Sequence, residues 1–229
     1  MFDLHGYGPL LVDGAWLTLR VALASVVLGL VFGVLGATAK LSNSIVLRGI
    51  ATGYTAIVRG LPELLLLLIV FYGGSLLVQD IWSDLGGESY VDIPPFVAGT
   101  FTLAFVFGAY ATEVFRGAIM AVPKGQVEAA YAVGMGRFQM FRRVMLPQVW
   151  RFALPGLGNL WLVLLKDTSL ISVVNLNELM YNSRAAAGKT HEPFTFFLIA
   201  ALIYLAFTIV SMAVLQYSER RARRGVRVG

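Results

Sequence analysis

Residues 123–147 read PKGQVEAAYAVGMGRFQMFRRVMLP, and this stretch decides the fold class of the chain. Its first half favours a short helix, with Val127, Ala130 and Tyr131 on one face at helical spacing. Gly134 and a second glycine two residues later supply the backbone freedom of a sharp turn, after which a second helix is predicted. Because apolar stretches lie on both sides, we expect a structured basic loop placed on a membrane surface.

The composition agrees with a membrane protein. Of 229 residues, 58% are hydrophobic and 14% are charged, whereas soluble domains are about a quarter charged. Without cysteine, the chain has no disulfide framework, thiolate metal site or thiol nucleophile. Five stretches are apolar and long enough to cross a bilayer: 16–39, 54–78, 95–120, 152–174 and 193–216. We predict one all-α transmembrane domain over residues 1–229, with neither a repeat nor a second domain.

The basic residues indicate how the chain is oriented. Eleven Lys and Arg residues fall in the loops and tail on one side, against Arg184 and Lys189 on the other. The positive-inside rule therefore places loop 121–148 and tail 218–229 in the cytoplasm and the N-terminus outside. The acidic loop 79–92 then lies on the outer side. This distribution also explains the net charge of +5 without nucleic-acid binding.

The loop resembles a known motif. Glu128-Ala129-Ala130, then Gly134, then VMLP at 144–147 follow the EAA–X3–G–X9–I–X–LP pattern of ABC importer permeases, with Val144 replacing Ile. Residues 59–62, 109–117 and 166–170 are similar to the polar-amino-acid branch of that family. The resemblance covers nearly the whole chain and is closest to the histidine/lysine–arginine–ornithine importers.

This resemblance implies an architecture and a function. The fold would be that of a type I ABC importer permease, N-out and C-in, in the bacterial inner membrane. The loop would contain a coupling helix that docks on a cytoplasmic ATPase. The alternative for this loop is an amphipathic helix that rests on membrane lipid. The residues assigned to ATPase coupling are Glu128, Ala129, Ala130, Gly134, Leu146 and Pro147.

The resemblance also implies partners. We expect a second permease subunit, identical or related, two cytoplasmic ATP-binding subunits, and a periplasmic or extracellular solute-binding protein. The transported solute would be a polar, basic amino acid. No catalytic residue, cofactor or metal site is expected in the chain itself, so another polypeptide would hydrolyse ATP.

Charged and polar residues inside the spans are the candidate substrate pathway, because ionisable groups in hydrocarbon are costly. Glu63 and Glu113 each have a possible same-helix partner, Arg59 four residues before and Arg116 three after. We place Glu63 well inside the second span, at a depth similar to that of Glu113. The alternative is that these groups form structural pairs and contact no substrate. The proposed pathway residues are Glu63, Glu113, Arg59, Asn159, Trp161 and Asp167. Lys166 is adjacent to Asp167, and the two side chains are predicted to face different directions.

Other classes of function fit less well. The two histidines, His5 and His191, fall in predicted outer loops and form no hydrolase motif. The string SRAAAGKT at 183–190 lacks the first glycine of a P-loop and lies in a predicted outer polar loop. An ion channel or secondary carrier subunit remains the alternative. A complete carrier usually contains paired halves, which five spans without a repeat do not provide.

Overall fold

A computed structural model of the chain describes residues 4–87, 89 and 93–222. Helices, and no strands, make up the regular structure of this part. The helices are α1 Gly8–Lys40, α2 Ile45–Gly60, α3 Glu63–Asp84, α4 Pro95–Met120, α5 Lys124–Ala132, α6 Arg137–Val174, α7 Leu179–Thr190 and α8 Pro193–Ala222. Five of them, α1, α3, α4, α6 and α8, are long and apolar enough to cross a membrane. The prediction of an all-α protein with five spans is confirmed.

Some predicted charges fall outside this description. They belong to the end of the acidic loop and to the basic tail: Glu88, Asp92, Arg223, Arg224 and Arg227.

Three predicted spans, the first, the fourth and the fifth, were too short, and the fourth belongs to a helix that starts at Arg137. The predicted third span, 95–120, coincides with α4, Pro95–Met120. The first span begins earlier, at Gly8, where Pro9 is suited to the first helical turn. The fifth span starts at Pro193 as predicted and continues to Ala222, past its apolar part.

The predicted second span, 54–78, is wrong, because the chain is broken within it. Helix α2 ends at Gly60, and α3 begins at Glu63. Between them Leu61 is extended, with φ −108° and ψ 146°. Pro62 causes the break: its ring excludes the helical conformation of the preceding residue, and its nitrogen has no hydrogen to donate. The rest of the span continues to Asp84, into the predicted outer loop.

The core forms where α1 packs against α4, the most buried of the spans. The contact depends on small residues, which let the two backbones approach closely. A Cβ atom at Gly29 would lie 2.9 Å from the carbonyl oxygen of Ala104, and one at Gly36 would overlap Oγ1 of Thr112. In contrast, only 6% of the most apolar 18-residue segment of α3 is buried within the chain, and the same holds for α8.

Replacing Gly29 with leucine is expected to destabilise the fold by about 1–3 kcal/mol, as overpacking of a close helix contact does. The new Cβ would lie 2.7 Å from the ring of Phe107 and 2.9 Å from a backbone oxygen, and a backbone oxygen cannot rotate away. Thermal unfolding in mild detergent measures the effect. Gly53→Leu is the matched control, since a Cβ at that helical glycine meets nothing within 4 Å. Equal losses in both variants would contradict the packing explanation.

The predicted outer polar loop 175–192 is mostly helix. Helix α7 packs against α1 and α8 and buries Leu179, Ala186 and Ala187. Its amino end is held by Glu178, whose side chain is fully buried. One carboxylate oxygen accepts from the backbone nitrogen of Tyr181 at 2.7 Å, and the other from that of Met180 at 2.9 Å. The same carboxylate also accepts from a hydroxyl on α1 and from one on α8, each at 3.3 Å, and so joins the outer helix to two spans.

Burial raises the pKa of the Glu178 carboxyl above its ordinary value of 4.5, although hydrogen bonds from Met180, Tyr181, Tyr204 and Thr18 lower it. A group with a raised folded-state pKa stabilises the fold most below its unfolded pKa, and that contribution is lost as pH rises through the folded value. We therefore expect the wild type to lose stability relative to Glu178→Gln as pH rises above 4.5. Thermal unfolding as a function of pH measures this difference.

The control is Glu192→Gln, which removes an exposed outer carboxylate. That variant should follow the wild-type pH dependence. Parallel curves for the wild type and Glu178→Gln would show that Glu178 does not titrate with folding.

Candidate functional site

The loop after α4 is a helix–turn–helix, as predicted. Helix α5 ends in a Schellman motif, in which two backbone hydrogen bonds close the last turn. Gly134 donates to the carbonyl of Tyr131 at 2.9 Å, and Met135 donates to that of Ala130 at 3.1 Å. Gly134 has φ +80°, a left-handed conformation that glycine adopts without strain. The glycine two residues later is extended, with φ −69°, so only Gly134 requires glycine for its backbone conformation.

The surface of this turn is apolar and open. Tyr131, Val133 and Phe138 are exposed, Val133 and Phe138 at 72% and 75%. The predicted apolar face of α5 is therefore only partly buried within the chain, with Ala130 covered and Tyr131 not. Glu128 and Ala129 are also exposed beside the turn. A patch of this kind is typical of a protein contact or a lipid contact.

The second half of the motif belongs to a span, so the predicted loop 121–148 is too long at its end. Helix α6 starts at Arg137 and has π-helical turns over Phe141–Met145. Leu146 and Pro147 then open its longer α-helical part, Leu146–Asp167, although the prediction placed them at the end of the loop. Because proline donates no backbone hydrogen bond, the turn before it is freed to adopt the wider π geometry. The motif thus runs from the exposed turn directly into α6.

Three of the predicted pathway residues meet in one cavity of about 300 Å³, here called the acidic cavity. Glu63 comes from α3, Asn159 and Asp167 from α6, and Tyr110 of α4 lines the same space. The carboxyl groups of Glu63 and Asp167 line this cavity from two different helices. The other lining residues are apolar. Adjacent carboxylates in an apolar wall are suited to a cationic ligand, which would relieve their mutual repulsion.

The position of Glu63 corrects the predicted depth. It is the first residue of α3, directly after the break at Pro62, and is not well inside a continuous helix. The predicted pair with Arg59 is also wrong, because the two residues belong to different helices. The Arg59 guanidinium instead lies 5.1 Å from the centre of the Tyr110 ring. The break thus separates a cation from a carboxylate and directs them to different cavities.

Glu113 lines a second, more open cavity of about 630 Å³, here called the basic cavity. Its carboxylate accepts from Arg116 at 2.9 Å, which confirms the predicted same-helix pair. It also pairs with Lys40 at the end of α1, a partner that the sequence did not indicate. Arg59 lines this cavity too. Both predicted pathway residues therefore lie apart from Glu63 and Asp167.

The remaining candidates are separated from the acidic cavity. The Trp161 indole donates to Ser211 of α8 at 2.9 Å and so contributes to helix packing. Lys166 lines a different cavity, between α6 and α8, as expected for a neighbour of Asp167 on a helix. The P-loop-like string 183–190 is helical, being part of α7, and not the polar loop that was predicted. Its first residue donates within that helix, to the carbonyl of Leu179 at 2.7 Å.

Comparisons with known proteins give a consistent result. Residues 25–224 match the family described as "Binding-protein-dependent transport system inner membrane component". The chain is 46% identical over 224 residues to the histidine/lysine/arginine/ornithine transport system permease protein HisQ of Escherichia coli, covering 98% of each chain. It is 49% identical over 223 residues to the nopaline transport system permease protein NocQ of Agrobacterium fabrum, covering 97% of this chain and 94% of the other.

Solved structures agree. A chain from the "Crystal structure of an amino acid ABC transporter with histidines" superposes with a TM-score of 0.80 at 32% identity, covering 94% of this chain and 95% of that one. A chain of the MetNI methionine ABC transporter superposes with a TM-score of 0.73 at 19% identity, covering 94% and 97%, which shows a shared fold.

Proposed function

Because the chain belongs to the family of binding-protein-dependent transport system inner membrane components, and is a multi-pass permease of the bacterial inner membrane, we propose that it translocates basic amino acids in an ATP-driven importer. The observation that carries the choice of substrate is the acidic cavity. Its two carboxyl groups, on Glu63 and Asp167, belong to different helices and face the same space. The name of HisQ, which includes histidine, lysine, arginine and ornithine, supports the same class of solute.

The chemistry of the cavity suggests how such a substrate is held. A guanidinium or ammonium group would bind between the carboxylates of Glu63 and Asp167, where charge-assisted hydrogen bonds are strong. Asn159 would add a neutral amide, and Tyr110 an aromatic ring for cation–π contact. The volume of about 300 Å³ lies at the small end of ligand pockets, as an amino acid requires.

The exposed turn after α5 is proposed as the contact with a cytoplasmic ATPase. Glu128, Ala129 and Gly134 lie together on its open surface, with Ala130 packed beneath. Leu146 and Pro147 would transmit movement of this turn to α6, because they belong to that helix. Since α6 also contains Asp167, one helix joins the proposed docking site to the acidic cavity. ATP hydrolysis would be performed by the partner.

The remaining partners follow from the same proposal. A second permease, identical or related, would cover the exposed face of α3, beside the break that precedes Glu63. Two ATP-binding subunits would bind the complex, one at the exposed turn after α5 of each permease subunit. A solute-binding protein would deliver the amino acid at the outer side, near α7 and the loop that follows α3.

The test is purification of the tagged chain in mild detergent, followed by assay of what co-purifies. We expect a second permease and a P-loop ATPase at two copies per permease pair. The complex, reconstituted in vesicles, should take up radiolabelled arginine in the presence of ATP and the solute-binding protein, and unlabelled lysine should compete. A stable chain with no ATPase in several detergents would favour the channel or carrier reading. If neutral amino acids competed with ATP-driven arginine uptake better than lysine did, the choice of basic substrates would be overturned.

A further inference from the structure

The basic cavity has an excess of positive charge. Its lining includes the cations Lys40, Arg48, Arg59 and Arg116, and Glu113 is the single carboxylate among the described residues that line it. Four cations against one carboxylate leave an excess of three positive charges. A concave surface with charges of one sign concentrates its field on the space it encloses.

The single carboxylate is already shared between two cations. Glu113 binds Lys40 with one oxygen and Arg116 with the other. Arg59 lies over an aromatic ring, which attracts a cation without neutralising it. In the part of the chain that the structure describes, neither Arg48 nor Arg59 forms an ion pair. Both are exposed and available to an anion.

The cavity lies at the level of a membrane surface. Lys40 is the last residue of α1, Arg48 lies in the first turn of α2, and Arg116 lies about one turn before the end of α4. The charge distribution assigns this end of the helices to the cytoplasm. Three helix ends therefore place Lys40, Arg48 and Arg116 near the phosphate groups of the inner leaflet, and Arg59 lines the same cavity from the other end of α2.

Helix α2 has an apolar side as well as a basic one. Arg48, Thr52 and Arg59 line the basic cavity. Val46 and Ile50 lie on the opposite face of the helix and are exposed at 68% and 66%. A helix with a basic face and an exposed aliphatic face is suited to the boundary between headgroups and acyl chains.

We propose that the basic cavity binds a phosphate group, and that this phosphate belongs to the headgroup of an anionic phospholipid in the cytoplasmic leaflet. The charge excess selects the anion. The position of three of the cations at helix ends favours a lipid over soluble phosphate, because it brings them level with lipid headgroups, while the opposite, aliphatic face of α2 contacts acyl chains. The volume of about 630 Å³ leaves room for a glycerol-type headgroup beside the threonine hydroxyls.

The test compares lipid binding by the full-length chain, purified with its accompanying subunits, and by the double variant Arg48→Gln/Arg59→Gln. Phosphatidylglycerol is titrated in phosphatidylcholine nanodiscs, and retained lipid is counted by native mass spectrometry. We expect the wild type to prefer phosphatidylglycerol and the double variant to bind it about thirtyfold more weakly, since two basic contacts are lost. Arg48→Lys/Arg59→Lys should keep most of the preference, because it keeps both charges.

Two controls make the outcome decisive. Lys189→Gln removes an exposed cation from the other side of the chain and should leave phosphatidylglycerol binding unchanged. Thermal unfolding in neutral detergent shows whether the glutamine double variant is folded. Equal binding of phosphatidylglycerol by the wild type and a folded glutamine variant would overturn the proposal. Binding of inorganic phosphate, sensitive to the same variant but without preference between the two lipids, would overturn its assignment to lipid.

Discussion

Glu63→Gln is expected to lower arginine uptake about tenfold to hundredfold, the effect of losing a hydrogen bond between charged groups. The substitution keeps the shape of the side chain and removes one of the two carboxylates in the acidic cavity. A neutral amino acid gains little from that charge, so uptake of the neutral amino acid that the wild type accepts best should change far less. Initial uptake rates of the two substrates in reconstituted vesicles give the ratio.

The matched control is Glu113→Gln, which removes one carboxylate from the basic cavity. This variant leaves Lys40 and Arg116 without their shared partner, so it should lower stability. It should not change the ratio of arginine to neutral uptake. Equal losses of both substrates in Glu63→Gln would remove Glu63 from substrate selection, while the proposed class of transporter would stand.

Gly134→Leu is expected to lower the amount of substrate transported per ATP hydrolysed about tenfold. A left-handed backbone costs an L-amino acid roughly 1–2 kcal/mol, so the turn after α5 would leave its present geometry. The exposed Glu128 and Ala129 would then be misplaced relative to the ATPase. A Cβ at Gly134 meets nothing within 4 Å, so the effect should come from the backbone and from the docking surface, without an internal clash. Transport and ATP hydrolysis are measured on the same vesicles.

Gly136→Leu adds the same side chain two residues away, where the space is equally open and φ is −69°. It should keep nearly normal coupling. Gly134→Asn, which tolerates the left-handed conformation, should lie between the two. An unchanged transport-to-ATP ratio in a membrane-inserted Gly134→Leu variant would count against the docking role of this turn.

The spans and the loop could be predicted because their signals are local. A run of about 20 apolar residues predicts a membrane-spanning helix, and a glycine directly after an amphipathic helical pattern predicts a turn. The break at Leu61–Pro62 was also present in the sequence, since a residue before proline avoids the helical region. The predicted span 54–78 nevertheless ran across this break, because the apolar run 64–70 dominated the interpretation of that stretch.

Other features depend on contacts between distant parts of the chain. The pair of Lys40 and Glu113 requires α1 to lie against α4, and no local pattern indicates which spans are neighbours. The meeting of Glu63 and Asp167 likewise requires α3 to cross α6. Helix α7 was not predicted, for a different reason: its polar residues suggested a loop. Its helix-forming alanines and the buried cap at Glu178 become informative only once α1 and α8 are in place.

The close contact between α1 and α4 has a consequence for biosynthesis. Helix α1 is made first, yet its partner follows only after α2 and α3 have been synthesised. During that interval the face of α1 that contains Gly29 and Gly36 contacts lipid or the insertion machinery. Lys40 meanwhile lacks the Glu113 carboxylate with which it later pairs. The arrival of α4 satisfies both at once. The first stable unit of the nascent chain is therefore expected to form when α4 emerges, so a chain stopped before Pro95 should be a ready substrate for membrane proteases.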